Sequence, residues 1–363
     1  MRAQLDGGEE ARRVLVEALD ARVFPAAVVD VGSSSGSLWH QAFGRLTFAP
    51  DSPPALESTP FDLASLTKVI VTTTVVMDLV QSGVVALTDL VADAFDDWRG
   101  SDRDAVTVCD LLEHASGLSA RLLEPPPATA REFVHDIAVM PLEYAPRSRS
   151  VYSDLGFILL GILASGRAGR LLAAHFTEVL TRFARIEPPL EREPFSYNLD
   201  AEARKFAAPT LPLDEDARRG TTLVGEVHDN YAAALGPVSG HAGLFGTAAA
   251  VAAFARLVLR AARGDASIPE PLSPRSVERA TTKSSVAGSS RALGWDTMLP
   301  TSSCGTSMSP AAFGHVGFTG TSLWIDPVRD RYFVLLTNRT YRGGTPDDMR
   351  TVRRAFHDAL ARL

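Results

Sequence analysis

A chain of 363 residues, 45% hydrophobic and 22% charged, is long enough to bury a large core and to divide into two domains. Its formal net charge of -7 argues against nucleic acid or an anionic membrane surface as the main partner. Cys109 and Cys304 are far apart and lack metal-type spacing, so reduced thiols in a cytoplasmic protein are expected in preference to a disulfide.

The opening segment, "MRAQLDGGEEARRVLVEALDARVF", breaks its apolar run with Glu17 and Asp20, which predicts an amphipathic helix and not an export signal. "PAAVVDVG" and "SLWHQAFGRLTF" predict two strands joined by a Ser/Gly turn over 32–37. The stretch "FDLASLTKVIVTTTVVMDLVQSG", residues 61–83, is apolar on every side of a 3.6-residue period and predicts a helix inside a core. "TVCDLLEHASG" predicts a helix with Thr107 as N-cap, Asp110 at the capping-box position and Gly117 as stop. "SDLGFILLGILASG" predicts a second apolar helix, begun by Ser153 or Asp154.

Residues 184–230, with "EPPLEREPF" and "APTLPLDEDARRG", are Pro-rich and polar and predict long loops. The uncharged stretch from Tyr231 to Ala255 contains Gly236, Gly240, Gly243 and Gly246, a composition for a loop followed by a helix and not for a bilayer span. No transmembrane segment is expected. "TSLWIDPVRDRYFVLLTNR" predicts two strands around Pro327–Asp330, and "PDDMRTVRRAFHDALARL" a closing amphipathic helix. The economical architecture is α+β. One antiparallel sheet is built from 1–62 and 232–363 and flanked by the terminal helices, a mainly helical domain, 63–231, is inserted, and the cleft between them is the default site.

Chemistry concentrates at Ser65 and Lys68. The chain carries three lysines, Lys68, Lys205 and Lys283, against 33 arginines, and a lysine kept inside an apolar helix hints at a role arginine cannot fill, because lysine can lose its proton. At i and i+3 the amine can reach the serine hydroxyl and accept its proton. The plainer alternative is a helix-cap serine with a snorkelling lysine. In "PRSRSVYSDLGFILLG", Tyr152 precedes a helix, and a phenol beside an ammonium has its phenolate favoured, which makes it a candidate general base; it could equally be a core aromatic. In "FGHVGFTGTSLWIDP", His315 and Gly317 are expected to open a strand.

Taken in this order, S-x-x-K, then Y-S-D, then H-V-G, the chain resembles the serine β-lactamase and penicillin-binding protein superfamily, most closely its class C-like branch, over nearly the whole length. "TVCDLLEHASGLSA" resembles a further segment of that branch. "GEVHDNYAAALGPVSGHAGLFGTA" resembles a subgroup that includes muramyl-peptide amidases and penicillin-binding protein 4B-like proteins, with Asn230 and Tyr231 in place of Glu and Asn. The resemblance implies a β-lactamase/transpeptidase-like fold and a serine hydrolase that needs no cofactor or metal. Ser65 would be the nucleophile, Lys68 and Tyr152 would move its proton, and the N–H groups of Ser65 and Phe318 would form the oxyanion hole. Substrate would be held by Asp154, His315, Gly317 and Phe318. Asp154 stands where lactamases carry asparagine and Val316 where they carry threonine, which weakens the case for efficient β-lactam hydrolysis.

His315 occupies the position of a charged lysine in many relatives. If it attracts a substrate carboxylate, KM should rise between about pH 6 and 8 as the imidazole, with an ordinary pKa of about 6.5, loses its charge. His228, Asp229 and His241 could be read as metal ligands, but loop-ordering hydrogen bonds are the favoured reading. The expected function is hydrolysis of an amide or ester through a Ser65 acyl-enzyme. The expected substrate is a small molecule or short peptide, foremost a muropeptide or D-amino-acid peptide. A promiscuous carboxylesterase and a non-catalytic muropeptide-binding protein are the alternatives.

Overall fold

The computed structural model describes residues 2–122, 125–192, 195–236 and 238–360; Met1, Pro237 and the final residues 361–363 of the predicted closing helix lie outside them. The strands are β1 (Ala26–Ser33), β2 (Gly36–Gly44), β3 (Phe61–Asp62), β4 (Phe245–Gly246), β5 (Asp296–Thr297), β6 (Phe313–Val316), β7 (Ser322–Asp326) and β8 (Arg331–Thr337). The helices are α1 (Arg2–Asp20), α2 (Thr74–Gln81), α3 (Val108–Leu112), α4 (Ala130–Val139), α5 (Asp154–Ala168), α6 (Leu172–Thr181), α7 (Pro189–Arg192), α8 (Ala201–Arg204), α9 (Asn230–Leu235), α10 (Ala248–Ala262), α11 (Pro274–Thr281) and α12 (Pro346–Leu360).

Six strands form one antiparallel sheet in the order β2-β1-β8-β7-β6-β5, so the two ends of the chain meet where β1 pairs β8, Val29 opposite Leu335. Strand alternation divides the sheet's side chains between two cores. Val29, Val31, Phe333 and Leu335 face Leu15 of α1 and Phe356 of α12, while Val28, Val334 and Leu336 face the side that α10 covers with Val251, Phe254 and Val258. Both faces of β1 are therefore buried, which is why "AAVVDV" reads as a continuous apolar run and not as an alternating one. Each such side chain contributes about 1.5–3 kcal/mol of burial.

Among the described residues the regular elements between β3 and β4 are helices, joined by long irregular stretches, and their centre is α2 and α5. Ser153 is the N-cap of α5, its hydroxyl accepting from Gly156 N–H, and Gly169 ends that helix at φ 64°. Thr107 and Asp110 form the capping box at the start of α3. The Pro-rich stretch is irregular apart from the single turns α7 and α8. Among the described residues no single helix is long and apolar enough to cross a membrane.

One expected element is displaced. The H-V-G segment does not open a strand: His315 and Val316 end β6, Gly317 and Phe318 lie in the turn that follows, and the next strand begins at Ser322.

Candidate active site

Ser65 lies in the turn after β3. Ala64, just before it, is held at φ 48°, a left-handed conformation that costs a residue with a β-carbon about 1–3 kcal/mol. Asp62 Oδ1 fixes it by accepting from the Ala64 N–H at 2.8 Å. The end of β6 packs directly on this turn. A Cβ on Gly317 would lie 2.1 Å from Thr321 Oγ1 and 2.7 Å from the Leu63 carbonyl oxygen, so the approach requires glycine.

After Ser65 the chain winds as a π-helix from Lys68 to Thr73 and becomes α-helical at Thr74. Such expanded turns re-aim side chains and are frequent at functional sites. Here the turn directs a fully buried Lys68 whose three N–H donors each find an acceptor: Ser65 Oγ at 3.1 Å, Asp154 Oδ1 at 2.8 Å and the His241 carbonyl at 2.8 Å. Tyr152 OH donates to Ser65 Oγ at 2.7 Å. Tyr152 is fixed from behind by His114, whose ring lies 4.8 Å away and whose Nδ1 accepts from the Ser153 N–H at 3.1 Å. The backbone N–H groups of Ser65 and Phe318 donate to no acceptor among the described residues.

Burial alone would strip the proton from Lys68, but the Asp154 carboxylate outweighs it and raises the pKa of the amine above its ordinary value. Tyr152 goes the opposite way from the sequence-based expectation. Its burial outweighs the Lys68 charge, so its pKa is raised and the phenol keeps its proton. Both neighbours of Ser65 are therefore donors at rest, and one must shed a proton before the hydroxyl can be activated.

Ser65 and Tyr152 open on a pocket of about 270 Å³ that is also lined by His315, Gly317, Phe318, Arg291, Arg339 and Arg353. Asp154 does not line it; its carboxylate turns inward to Lys68 and to Arg121 Nη1 at 3.2 Å. His315 lines the pocket but is 2% exposed, with Nδ1 against its own Val316 carbonyl at 2.9 Å. Burial, with Arg291 and Lys68 nearby, holds its pKa well below the ordinary imidazole value, so it is neutral throughout pH 6 to 8 and cannot supply the expected pH-dependent attraction.

Positive charge reaches the pocket from three arginines that sequence reasoning missed. Arg353 is 7% exposed and donates to the carbonyls of Gly317 (2.7 Å) and Thr321 (2.8 Å), while its Nε has no partner. Burial and the neighbouring Arg339 push its pKa down to about 9, which leaves it charged at neutral pH. Arg339 donates to the carbonyls of Phe318 and Gly344 and lies over the Phe318 ring at 4.8 Å. Arg291 lies over the Tyr152 ring at 5.2 Å. None of the three pairs with a carboxylate among the described residues, and the one carboxylate in the lining is Asp296. Arg353 did leave a signal: in α12 it falls within the apolar stripe of Met349, Val352 and Phe356.

Of the remaining polar residues of the subgroup segment, His241 and Asp229 make the expected loop-ordering hydrogen bond, Nε2 to Oδ1 at 2.8 Å. The His228 ring does not join them; it stacks on Phe318 at 5.6 Å. Among the described residues no group of three or more His, Cys, Asp or Glu side chains is arranged to hold a metal ion.

Comparison with known proteins shows the family and the fold. A family model described as Beta-lactamase matches residues 11–357. A protein of Escherichia coli (strain K12) named a D-alanyl-D-alanine carboxypeptidase is 31% identical over 320 residues, 79% of this chain and 70% of the relative. One of the same name from Salmonella gallinarum (strain 287/91 / NCTC 13346) is 28% identical over 323 residues, 79% of this chain and 71% of that one. Among solved structures, EstCE1, a hydrolase with promiscuous acyltransferase activity, superposes with a TM-score of 0.76 at 19% identity, covering 98% of this chain and 100% of that one. The class C beta lactamase from Rhodobacter sphaeroides gives 0.72 at 19%, covering 96% and 98%. The fold is thus the β-lactamase/transpeptidase-like one, and the chain belongs to the beta-lactamase family of serine hydrolases.

Proposed function

We propose that the protein hydrolyses a D-amino-acid-containing peptide with a free carboxylate, of the kind released from peptidoglycan, through an acyl-enzyme on Ser65. The observation that carries the substrate class is the charge of the pocket. Arg291, Arg339 and Arg353 face the space beside Ser65 with one carboxylate among them, Asp296, so a bound carboxylate would find charge-assisted donors already in place. The 31% identical relative named a D-alanyl-D-alanine carboxypeptidase supports the same class.

In the reaction Ser65 Oγ bonds to the carbonyl carbon, and the carbonyl oxygen takes up the displaced electron pair against the N–H groups of Ser65 and Phe318. With Lys68 in its neutral form, the hydroxyl proton passes to Lys68 and on through Tyr152 to the leaving nitrogen or oxygen as its bond to carbon breaks. Water then attacks the acyl carbon, its proton passing through Tyr152 to the neutral Lys68, and Lys68 returns a proton to Ser65 Oγ as the bond from Oγ to the acyl carbon breaks and the acid departs.

A second reading, a carboxylesterase of broad specificity, has its own observation in Phe318, which is 49% exposed in the pocket lining beside Val316 and Met349. Hydrolysis assays on a panel of muropeptides and on short-chain neutral esters separate the two. Higher kcat/KM on the peptides, with the activity abolished by Ser65→Ala, supports the first reading; turnover confined to the esters replaces it with the second. A Ser65→Ala protein that keeps its activity would end both.

A further inference from the structure

Lys68 is one corner of a closed ring of hydrogen-bonded groups. Its Nζ donates to Asp154 Oδ1 at 2.8 Å. Asp154 Oδ2 accepts from Arg121 Nη1 at 3.2 Å, and the same nitrogen reaches Asp229 Oδ2 at 3.0 Å. Asp229 Oδ1 meets His241 Nε2 at 2.8 Å, and the backbone carbonyl of His241 returns to Lys68 Nζ at 2.8 Å. Arg121 is further fixed by Asn230 Oδ1 at 2.6 Å and by the Tyr231 ring 3.9 Å below its guanidinium. Neither Arg121 nor Asp229 lines the pocket with Ser65, so neither meets the substrate there.

We propose that Arg121 is a positioning residue: by holding one oxygen of Asp154 it divides that carboxylate between two cations, aims the other oxygen at Lys68, and sets how readily the amine gives up its proton for attack by Ser65. The inference rests on Ser65 as nucleophile and Lys68 as its base. A carboxylate that served Lys68 alone would hold the ammonium more tightly, because nothing would offset its charge at that distance. A second cation on the same carboxylate weakens that hold. Asp229 works in the opposite sense, as an anion that restrains Arg121 and adds negative potential to the ring.

Of the other groups near the amine, the His241 ring also bears on Asp154, and the rest do not supply this adjustment. Tyr152, from the chain before α5, keeps its proton, and His114, after α3, and His315, on β6, are held neutral by burial. The Phe157 ring of α5 lies 5.7 Å from Nζ and carries no charge, and Arg291 stands beyond the Tyr152 ring. His241 meets Lys68 through its backbone and Asp229 through its ring.

The test is the rate of covalent labelling by a fluorophosphonate at neutral pH, measured on the full chain with the adduct mapped to its residue. It reads attack by the activated Ser65 hydroxyl, here at phosphorus with fluoride leaving, without depending on the natural substrate. In Arg121→Met the labelling rate at neutral pH should fall about tenfold, the equivalent of one pH unit in the proton affinity of the amine. Arg121→Lys should recover most of that loss. Asp229→Asn, which keeps an oxygen for the α9 cap, should instead label faster than wild type, a gain that a merely structural defect would not give, and this opposite sign still tests the idea if Arg121→Met fails to fold. Slowing in both variants, or rates that do not change in them, overturns the proposal. A wild-type adduct on a serine other than Ser65 overturns the underlying mechanism and this inference with it, whereas a Ser65 adduct with unchanged rates in the variants overturns this inference alone.

Discussion

Two buried cations border the same serine and meet the cost of burial in different ways. Lys68 has every donor satisfied by the protein itself, with Asp154 as counter-charge. Arg353 has two carbonyls, an unpartnered Nε and no carboxylate, and its neighbour Arg339 is a second guanidinium. Removing a charge from water costs several kcal/mol unless an opposite charge answers it. Around Lys68 the chain supplies that answer, and the result is a fixed machine. Around Arg353 no carboxylate among the described residues gives that answer, and the proposed preference for anions rests on this.

The contrast breaks most visibly at Lys68. Lys68→Arg keeps a cation beside Asp154 but leaves no group that can release a proton, so kcat should fall roughly 10²- to 10⁴-fold, nearly as far as in Lys68→Ala. Near wild-type turnover in the arginine variant would reduce Lys68 to a counter-charge.

On the open side, Arg291→Gln removes a guanidinium for which the structure shows no protein hydrogen bond. It should raise KM for a carboxylate-bearing substrate by roughly tenfold or more, the worth of a charge-assisted contact, and leave KM for a neutral ester nearly unchanged. Equal effects on both substrates would remove the anion preference.

A smaller effect sharpens the same contrast through pH. Because His315 is neutral and the guanidiniums remain charged, KM for the anionic substrate should stay flat from pH 6 to 8. A rise across that window would mean that His315 is protonated after all.

The smallest effect belongs to groups that avoid charge altogether. His114 and His315 are held well below the ordinary value by burial, His228 is pushed down to about 4 and His357 to about 3. The unfolded chain binds protons at these positions from about pH 6.5 downward and the folded one does not, so stability falls as pH drops, by up to about 1.4 kcal/mol per pH unit for each. Asp62, raised to about 6 by burial, and Asp30, also raised, act in the opposite direction between their unfolded and folded values. Four groups against two leave a net loss, and Tm should decline between pH 6.5 and 5, before most carboxylates titrate. A constant Tm over that range would contradict the burial of the histidines.

Local patterns were legible in the sequence. The capping box of Thr107 and Asp110, the Ser153 cap, the β1–β2 hairpin and the close placing of Ser65 and Lys68 all follow from spacing and residue type, while Tyr152 was joined to them by the family resemblance. What spacing could not supply was the outcome of competitions between burial and charge. The ammonium beside Tyr152 was foreseeable and its direction of effect was right, but the larger penalty of burying a phenolate reverses the result. His315 was read as an imidazole of ordinary pKa that loses its charge between about pH 6 and 8, and there too burial decides otherwise. Asp154 was read as a substrate contact because its partners, Lys68 and Arg121, come from segments far away in the chain. Arg291 and Arg339 stand out in no local pattern, since an unpaired arginine differs from a surface one only by what surrounds it.

The expanded turn from Lys68 to Thr73 bears on how this site tolerates insertion and deletion. A π-helical turn behaves as one residue inserted into an α-helix, and each α-helical residue advances the direction of its side chain by about 100°. Deleting one residue between 69 and 73 would restore regular pairing and a locally better-bonded helix. Because the wider turn already absorbs that residue, the deletion would leave α2 in its present phase and re-aim the side chains inside the turn, so that the amine of Lys68 would leave its seat while the apolar side chains of α2 kept theirs. Packing at one end and proton transfer at the other thus make different demands on this helix, and a single-residue deletion here should cost activity more than stability.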